Sequence, residues 1–173
     1  GKAALKVNTT GADNVAVGRE ALDANTTASN NVAVGSVALG ANTTGASNTA
    51  LGDGALAVNT TASNNTAVGA SALIANTTGH DNTAIGMDAA KSMTTGEENV
   101  IVGHKAGDAL TDADYNVAVG RSSLTSDTLG SKTTAIGWGT LNTQNFTSAT
   151  DSHNTAVGYN AMALTTTGTD NVA

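Results

Sequence analysis

The chain has 173 residues and a formal net charge of −7, with 2% aromatic residues, no proline and no cysteine. The acidic balance, with seven scattered Lys and Arg, disfavours a phosphate-binding or nucleic-acid surface. Disulfides and thiolate metal sites are excluded, and no stretch approaches the roughly 20 apolar residues of a membrane span. So little Val, Leu, Ile and Phe would suggest disorder, but a strict internal period argues otherwise.

The period is read from Asn14-Val15-Ala16-Val17-Gly18. Its opening position recurs at 14, 31, 48, 65, 82, 99, 116, 133, 154 and 171, and is Asn everywhere except Thr133. Each step is 17 residues apart from the 21 between 133 and 154, an insertion of four. Such a period marks a solenoid, in which a coil buries its apolar face only against its neighbours. Coils paired as strands lie about 4.8 Å apart, so ten repeats imply a rod of roughly 50 Å.

Within a coil the first predicted element surrounds Ala4-Leu5 and Ala21-Leu22, and returns at Ala38-Leu39, Ala55-Leu56, Ala72-Leu73 and Ala161-Met162. It reads as a short strand whose Leu enters the core from one wall. A single helical turn is the competing reading, because Arg19-Glu20-Ala21-Leu22-Asp23-Ala24 contains good helix formers, although the run is short for a stable helix. Asn-Thr-Thr then turns the chain, and Gly18 and its equivalents turn it again. Between these turns lies the second element, the Asn-Val-Ala-Val strand. Side chains alternate along a strand, so Val15 and Val17 share one face and Ala16 takes the other. The β-branched face is expected to point into the coil. The middle column, Ala in every strand copy except Ile101, is expected to be small because another backbone packs close to it.

Residues 1–136 read as regular coils, with Asn-Thr-Thr turns at 8, 25, 42, 59 and 76 replaced later by Met93-Thr94-Thr95, Leu110-Thr111-Asp112 and Asp127-Thr128-Leu129. Residues 137–157 form a coil whose turn swells between Asn142 and His153 into an inserted loop, and 158–173 a partial coil. Insertions in solenoids emerge on one face, often the binding face. The chain opens on a repeat glycine and closes inside a motif, which reads as one β-solenoid segment of a longer fibre protein.

Asn65-Thr66-Ala67-Val68-Gly69, Asn82-Thr83-Ala84-Ile85-Gly86 and the Asn-Val-Ala-Val-Gly copies at 14, 31 and 116 resemble the head repeats of trimeric autotransporter adhesins, the YadA-like head, and similar repeats in bacteriophage tail fibres. The resemblance covers essentially the whole chain, with a longer repeat than is usual in adhesins. It implies an all-β, left-handed parallel β-roll, a homotrimer whose seam is the Ala column, and an extracellular or virion fibre that attaches to a host-cell glycan or protein. A self-assembling structural surface filament without its own receptor site is the alternative.

The Asn column at 14, 31 and onward reads as a structural ladder of amides. Asn8, Asn25, Asn42, Asn59, Asn76 and Asn145 each open an N-glycosylation acceptor sequence. The position after the coil glycine varies freely, so it is expected to face solvent. In adjoining coils it holds Trp138 and Tyr159, which should stand one above the other, close to Phe146 on the inserted loop. Exposed aromatics stack on sugars or anchor partners, which makes Trp138, Phe146 and Tyr159, with His153, the candidate receptor contact; covering the irregular coil is their competing role. Stacked Thr pairs raise the question of an ice-binding face. Adjacent residues of an extended strand point to opposite sides, however, and no Thr-x-Thr pattern recurs from coil to coil. No catalytic motif is present, His80, His104 and His153 fall in different columns, and neither metal nor cofactor is expected, the acidic turns at Asp13, Asp81, Glu97 and Glu98 being the one place a cation could sit.

Overall fold

The computed structural model describes residues 1–173 and contains strands and turns but no helix. Nine three-residue strands form one parallel sheet: β1 (Val15–Val17), β2 (Val32–Val34), β3 (Thr49–Leu51), β4 (Thr66–Val68), β5 (Thr83–Ile85), β6 (Val100–Val102), β7 (Val117–Val119), β9 (Thr134–Ile136) and β11 (Thr155–Val157). A second parallel pair joins β8 (Gly130–Ser131) to β10 (Thr150–Asp151). Val15 pairs with Val32 and Val32 with Thr49, one period apart, whereas Thr134 pairs with Thr155 across the insertion. This is the expected parallel β-solenoid.

The facing of the strands is the reverse of the expectation. Ala33, Ala50, Ala67, Ala84, Ala118, Ala135 and Ala156 are completely buried within the single chain, and the Val, Thr, Leu and Ile residues on either side of them are exposed or half-buried. The Ala column therefore lines the coil interior and cannot be a seam between subunits. The cause is the width of the coil. Leu22, Leu39, Leu56 and Leu73 project from the opposite wall and are also fully buried, so a methyl group is all the strand can add. Where the strand does carry a large residue, at Ile101, the opposite wall gives way: the Leu position six residues on is Gly107, where a Cβ would lie 3.4 Å from Ile101 Cδ1 and 2.8 Å from Leu110 Cδ1.

The Leu-bearing wall is neither strand nor helical turn. Glu20 and Leu22 take φ of 56° and 51°, as do Val37 and Leu39 at 59° and 50°, so left-handed residues alternate with right-handed ones. Tight turns result, for example Gly40 N donating to Val37 O at 3.0 Å and Asn42 N to Leu39 O at 3.1 Å. The same alternation turns the amide groups along the rod axis. Leu22 N donates to Ala38 O at 3.1 Å and Glu20 N to Lys2 O at 2.9 Å, tying each coil to both neighbours. The wall is thus stitched like a sheet without being extended.

Glycine closes the corner after each strand. At Gly52 and Gly69 φ is 144° and 129°, and a Cβ at Gly52 would lie 2.4 Å from Gly69 O in the next coil. The Asn ladder forms as expected: Asn31 N donates to Asn14 Oδ1 at 3.0 Å, and Asn31 Nδ2 to Gly45 O at 2.9 Å. A second ladder runs through the Asn-Thr-Thr turns, where Asn42 Nδ2 donates to Asn25 Oδ1 at 3.1 Å and Asn59 Nδ2 to Asn42 Oδ1 at 2.9 Å. It stops at Met93, which has no proton to give, and Asn76 Oδ1 is left buried without a partner.

Candidate functional site

The insertion between 133 and 154 is absorbed more fully than its sequence suggests. Thr128 Oγ1 still bonds to Asn145 Oδ1 at 3.1 Å one period on, so only Thr147, Ser148 and Ala149 stand out before the chain rejoins as β10. Inside this coil both Asn ladders are rebuilt from other side chains. Buried Asp127 accepts from Gly130 N at 3.1 Å, Phe146 N at 3.0 Å and Gln144 Nε2 at 2.7 Å. Gln144 Oε1 in turn accepts from Asn154 Nδ2 at 2.8 Å, and Thr133 Oγ1 meets Ser152 Oγ at 2.6 Å.

Trp138 and Tyr159 stack as the column predicts, with ring centroids 5.0 Å apart and planes 9° from parallel. They are 42% and 74% exposed. Phe146 does not join them. It is 6% exposed, with its ring edge against Gly130, because its backbone is held by Asp127 and Leu129. His153 is exposed but sits at the other end of β11 from Tyr159, its Nδ1 3.6 Å from Asp170 Oδ1. The four residues singled out from the sequence therefore reduce to one exposed aromatic pair. Stacking uses the ring faces that Trp138 and Tyr159 turn towards each other, which leaves ring edges and Tyr159's outer face for a partner.

The acceptor sequences also sort by geometry. Asn25, Asn42, Asn59 and Asn76 are fully buried, and each Nδ2 donates both to the preceding Asn of the ladder and to a turn carbonyl, so a glycan on any of them would break the coil. Asn8 Nδ2 donates to Gly11 O at 2.8 Å. Asn145 alone combines partial exposure with an amide nitrogen that has no hydrogen bond, beside the protruding Thr147.

An acidic corner covers three coils. His80 Nδ1 meets Asp81 Oδ2 at 2.8 Å and its Nε2 meets Glu97, while Glu97 N donates to Asp114 Oδ1 at 2.9 Å. The neighbouring Glu98 carboxylate, together with burial, Glu97 and Asp114, holds the Tyr115 phenol above its ordinary pKa. No three His, Asp or Glu side chains converge closely enough to hold a metal ion.

The largest continuous feature was missed from the sequence because the strand facing was inverted. The outer face of the nine-stranded sheet presents two parallel columns, Val15 to Thr155 and Val17 to Val157, without a single charged residue. Three-residue strands at about 4.8 Å spacing make this a flat face of roughly 400 Å². Patches of roughly 300–600 Å² are the largest that monomers usually expose, and they are often functional. No protein-family model matches the chain, and no curated protein or solved structure was found to be similar to it.

Proposed function

We propose that the chain is a rigid structural and adhesive segment of an extracellular fibre, a phage tail fibre or surface adhesin, that attaches to a host cell or other surface. The observation that carries this reading is the uncharged outer face of the sheet, aliphatic along the Val17-to-Val157 column and mixed Val and Thr along its companion, which a single chain leaves exposed or half-buried. Three copies with these faces turned to a common axis would bury it, in keeping with the resemblance to trimeric, left-handed adhesin heads and tail fibres. In this assembly the seam is the Val17-to-Val157 column and its Val15-to-Thr155 companion rather than the Ala column. The receptor contact is the Trp138–Tyr159 pair, which supplies two large apolar edges at the one irregular coil.

The test is binding of the purified chain to host cells or a glycan array. Trp138→Ala with Tyr159→Ala is expected to abolish binding while circular dichroism and solution mass stay unchanged. Binding that survives the double substitution would remove the aromatic pair from the reading, and a chain that binds no surface while forming open-ended polymers would turn it into a structural filament.

A further inference from the structure

The corner that follows each strand changes character along the rod. The two positions after the coil glycine hold His104 and Lys105, then Arg121 and Ser122, Trp138 and Gly139, and Tyr159 and Asn160 in four successive coils. In a chain with 14 Asp and Glu residues and a net charge of −7, these eight positions include no carboxylate. Lys105, Arg121, Trp138 and Tyr159 are exposed, and His104 is half-buried.

The backbone beneath them is fixed in register. Lys105, Ser122, Gly139 and Asn160 take left-handed φ of 56°, 55°, 65° and 52°. Ser122 N donates to His104 O at 3.0 Å, Gly139 N to Arg121 O at 3.0 Å and Asn160 N to Trp138 O at 2.9 Å. The side chains therefore leave the rod in one line at the coil spacing of about 4.8 Å, and the four coils span roughly 14 Å.

The cations on this line have no partner within the chain. Arg19, Lys91 and Lys132 are engaged by Glu20, Asp88 and Asp151, whereas Lys105 and Arg121 form neither an ion pair nor a side-chain hydrogen bond. The carboxylates nearest Lys105 along the coils are occupied. Asp88, one coil earlier, is held by Lys91 at 3.2 Å, and Asp108, in the following turn, accepts from the Thr125 hydroxyl. Two free positive charges thus run directly into the stacked Trp138 and Tyr159 rings.

This combination selects a ligand class. No cavity opens in the surface, so a small molecule cannot be enclosed and a partner has to lie along the corner. Duplex nucleic acid carries one charge per about 1.7 Å, a density that two free cations on an acidic chain do not answer. An acidic polysaccharide spaces its carboxylates or sulfates at least a sugar apart and offers apolar C–H faces between them, which suit aromatic rings. We infer that the corner from Lys105 to Tyr159 is a track for an acidic polysaccharide, with anionic groups on Lys105 and Arg121 and sugar rings against Trp138 and Tyr159. The inference rests on the attachment role given above to the aromatic pair and supplies its ligand class.

The experiment presents the purified full chain with immobilised hyaluronan, alginate and chondroitin sulfate, each beside its carboxyl-reduced or desulfated counterpart, and with a DNA duplex. At least one acidic polymer is expected to be bound about tenfold more tightly than its neutral counterpart, the effect of two exposed charge contacts, and less tightly as salt is raised. Lys105→Gln with Arg121→Gln is expected to erase that preference with circular dichroism unchanged. Lys2→Gln with Lys6→Gln, the same change in net charge at the other two unpaired lysines, is expected to keep it. Equal binding of acidic and neutral forms, or a preference that survives Lys105→Gln with Arg121→Gln, overturns the inference and leaves surface attachment standing. Tighter binding of the DNA duplex than of every polysaccharide also overturns it, and a chain that binds no polysaccharide and no cell surface sinks both readings.

Discussion

A single methyl group separates Gly69 from alanine, yet the coil has no room for it. With φ at 129° and a Cβ position 2.5 Å from Gly86 O, the added carbon would push adjacent coils apart as well as strain the backbone. Gly69→Ala is expected to destabilise the chain by about 3 kcal/mol or more, against roughly 0.5 kcal/mol or less for an ordinary surface change, and chemical denaturation would measure the difference. Tyr115 offers a milder test at the same scale. Its phenol is raised first by Glu98, with further contributions from burial, Glu97 and Asp114, so the neutral form is favoured in the folded chain. The associated stability is fully present below the unfolded phenol value of about 10 and is lost as pH rises through the higher folded value. Ultraviolet titration of the Tyr159→Phe chain should place Tyr115 above that value, and Glu98→Gln should bring it down; no change on removing Glu98 would refute the assigned cause.

Between coils, the core is conserved in volume rather than in position. Coils that carry Leu on the turn wall carry Ala on the strand, and the coil with Ile101 carries Gly107 and Leu110 instead. Ile101→Ala should cost about 2–5 kcal/mol as a cavity opens. Gly107→Leu should destabilise the native chain by overpacking, since its Cβ already meets Leu110 and Ile101, but less so in the Ile101→Ala background, and a double-mutant cycle would read the coupling. The backbone permits the exchange, because Gly107 at φ 50° matches Leu39 and Leu56 at 50°. This element also shows where sequence reading succeeds and where it stops. The repeat, the parallel strands, the buried Leu residues and the Asn ladder are all legible, because each leaves a column of one residue type. The inversion of Ala and Val is not, because alternation assigns two faces without saying which is inside, and the usual rule that the larger side chain is buried fails in so narrow a coil. The turn wall escaped notice for another reason. Left-handed Glu20, Val37 and Leu39 are costly in isolation and are held by stitching between coils, which no local propensity records.

At the scale of the molecule, three long surfaces run side by side and differ in chemistry: the uncharged outer face of the sheet, the wall of Thr-Thr turns and the variable corner that ends in Trp138 and Tyr159. The aromatic pair was legible from column arithmetic alone. Phe146 was not separable from it, because the sequence shows four extra residues but not that Asp127 and Gln144 would draw the turn inward around them. A rod of stacked coils gains stability from each neighbour contact, so the fold itself does not require the outer face to be covered, and its freedom from charge over nine strands is what the proposed assembly rests on. The most direct test is the mass of the chain in solution by light scattering, alone and with Val68→Lys and Val102→Lys placed at the middle of that face. The account predicts three times the 16.9 kDa chain mass for the native protein and a folded single chain for the variant. A native chain that stays at 16.9 kDa, or a variant that assembles as before, would contradict it.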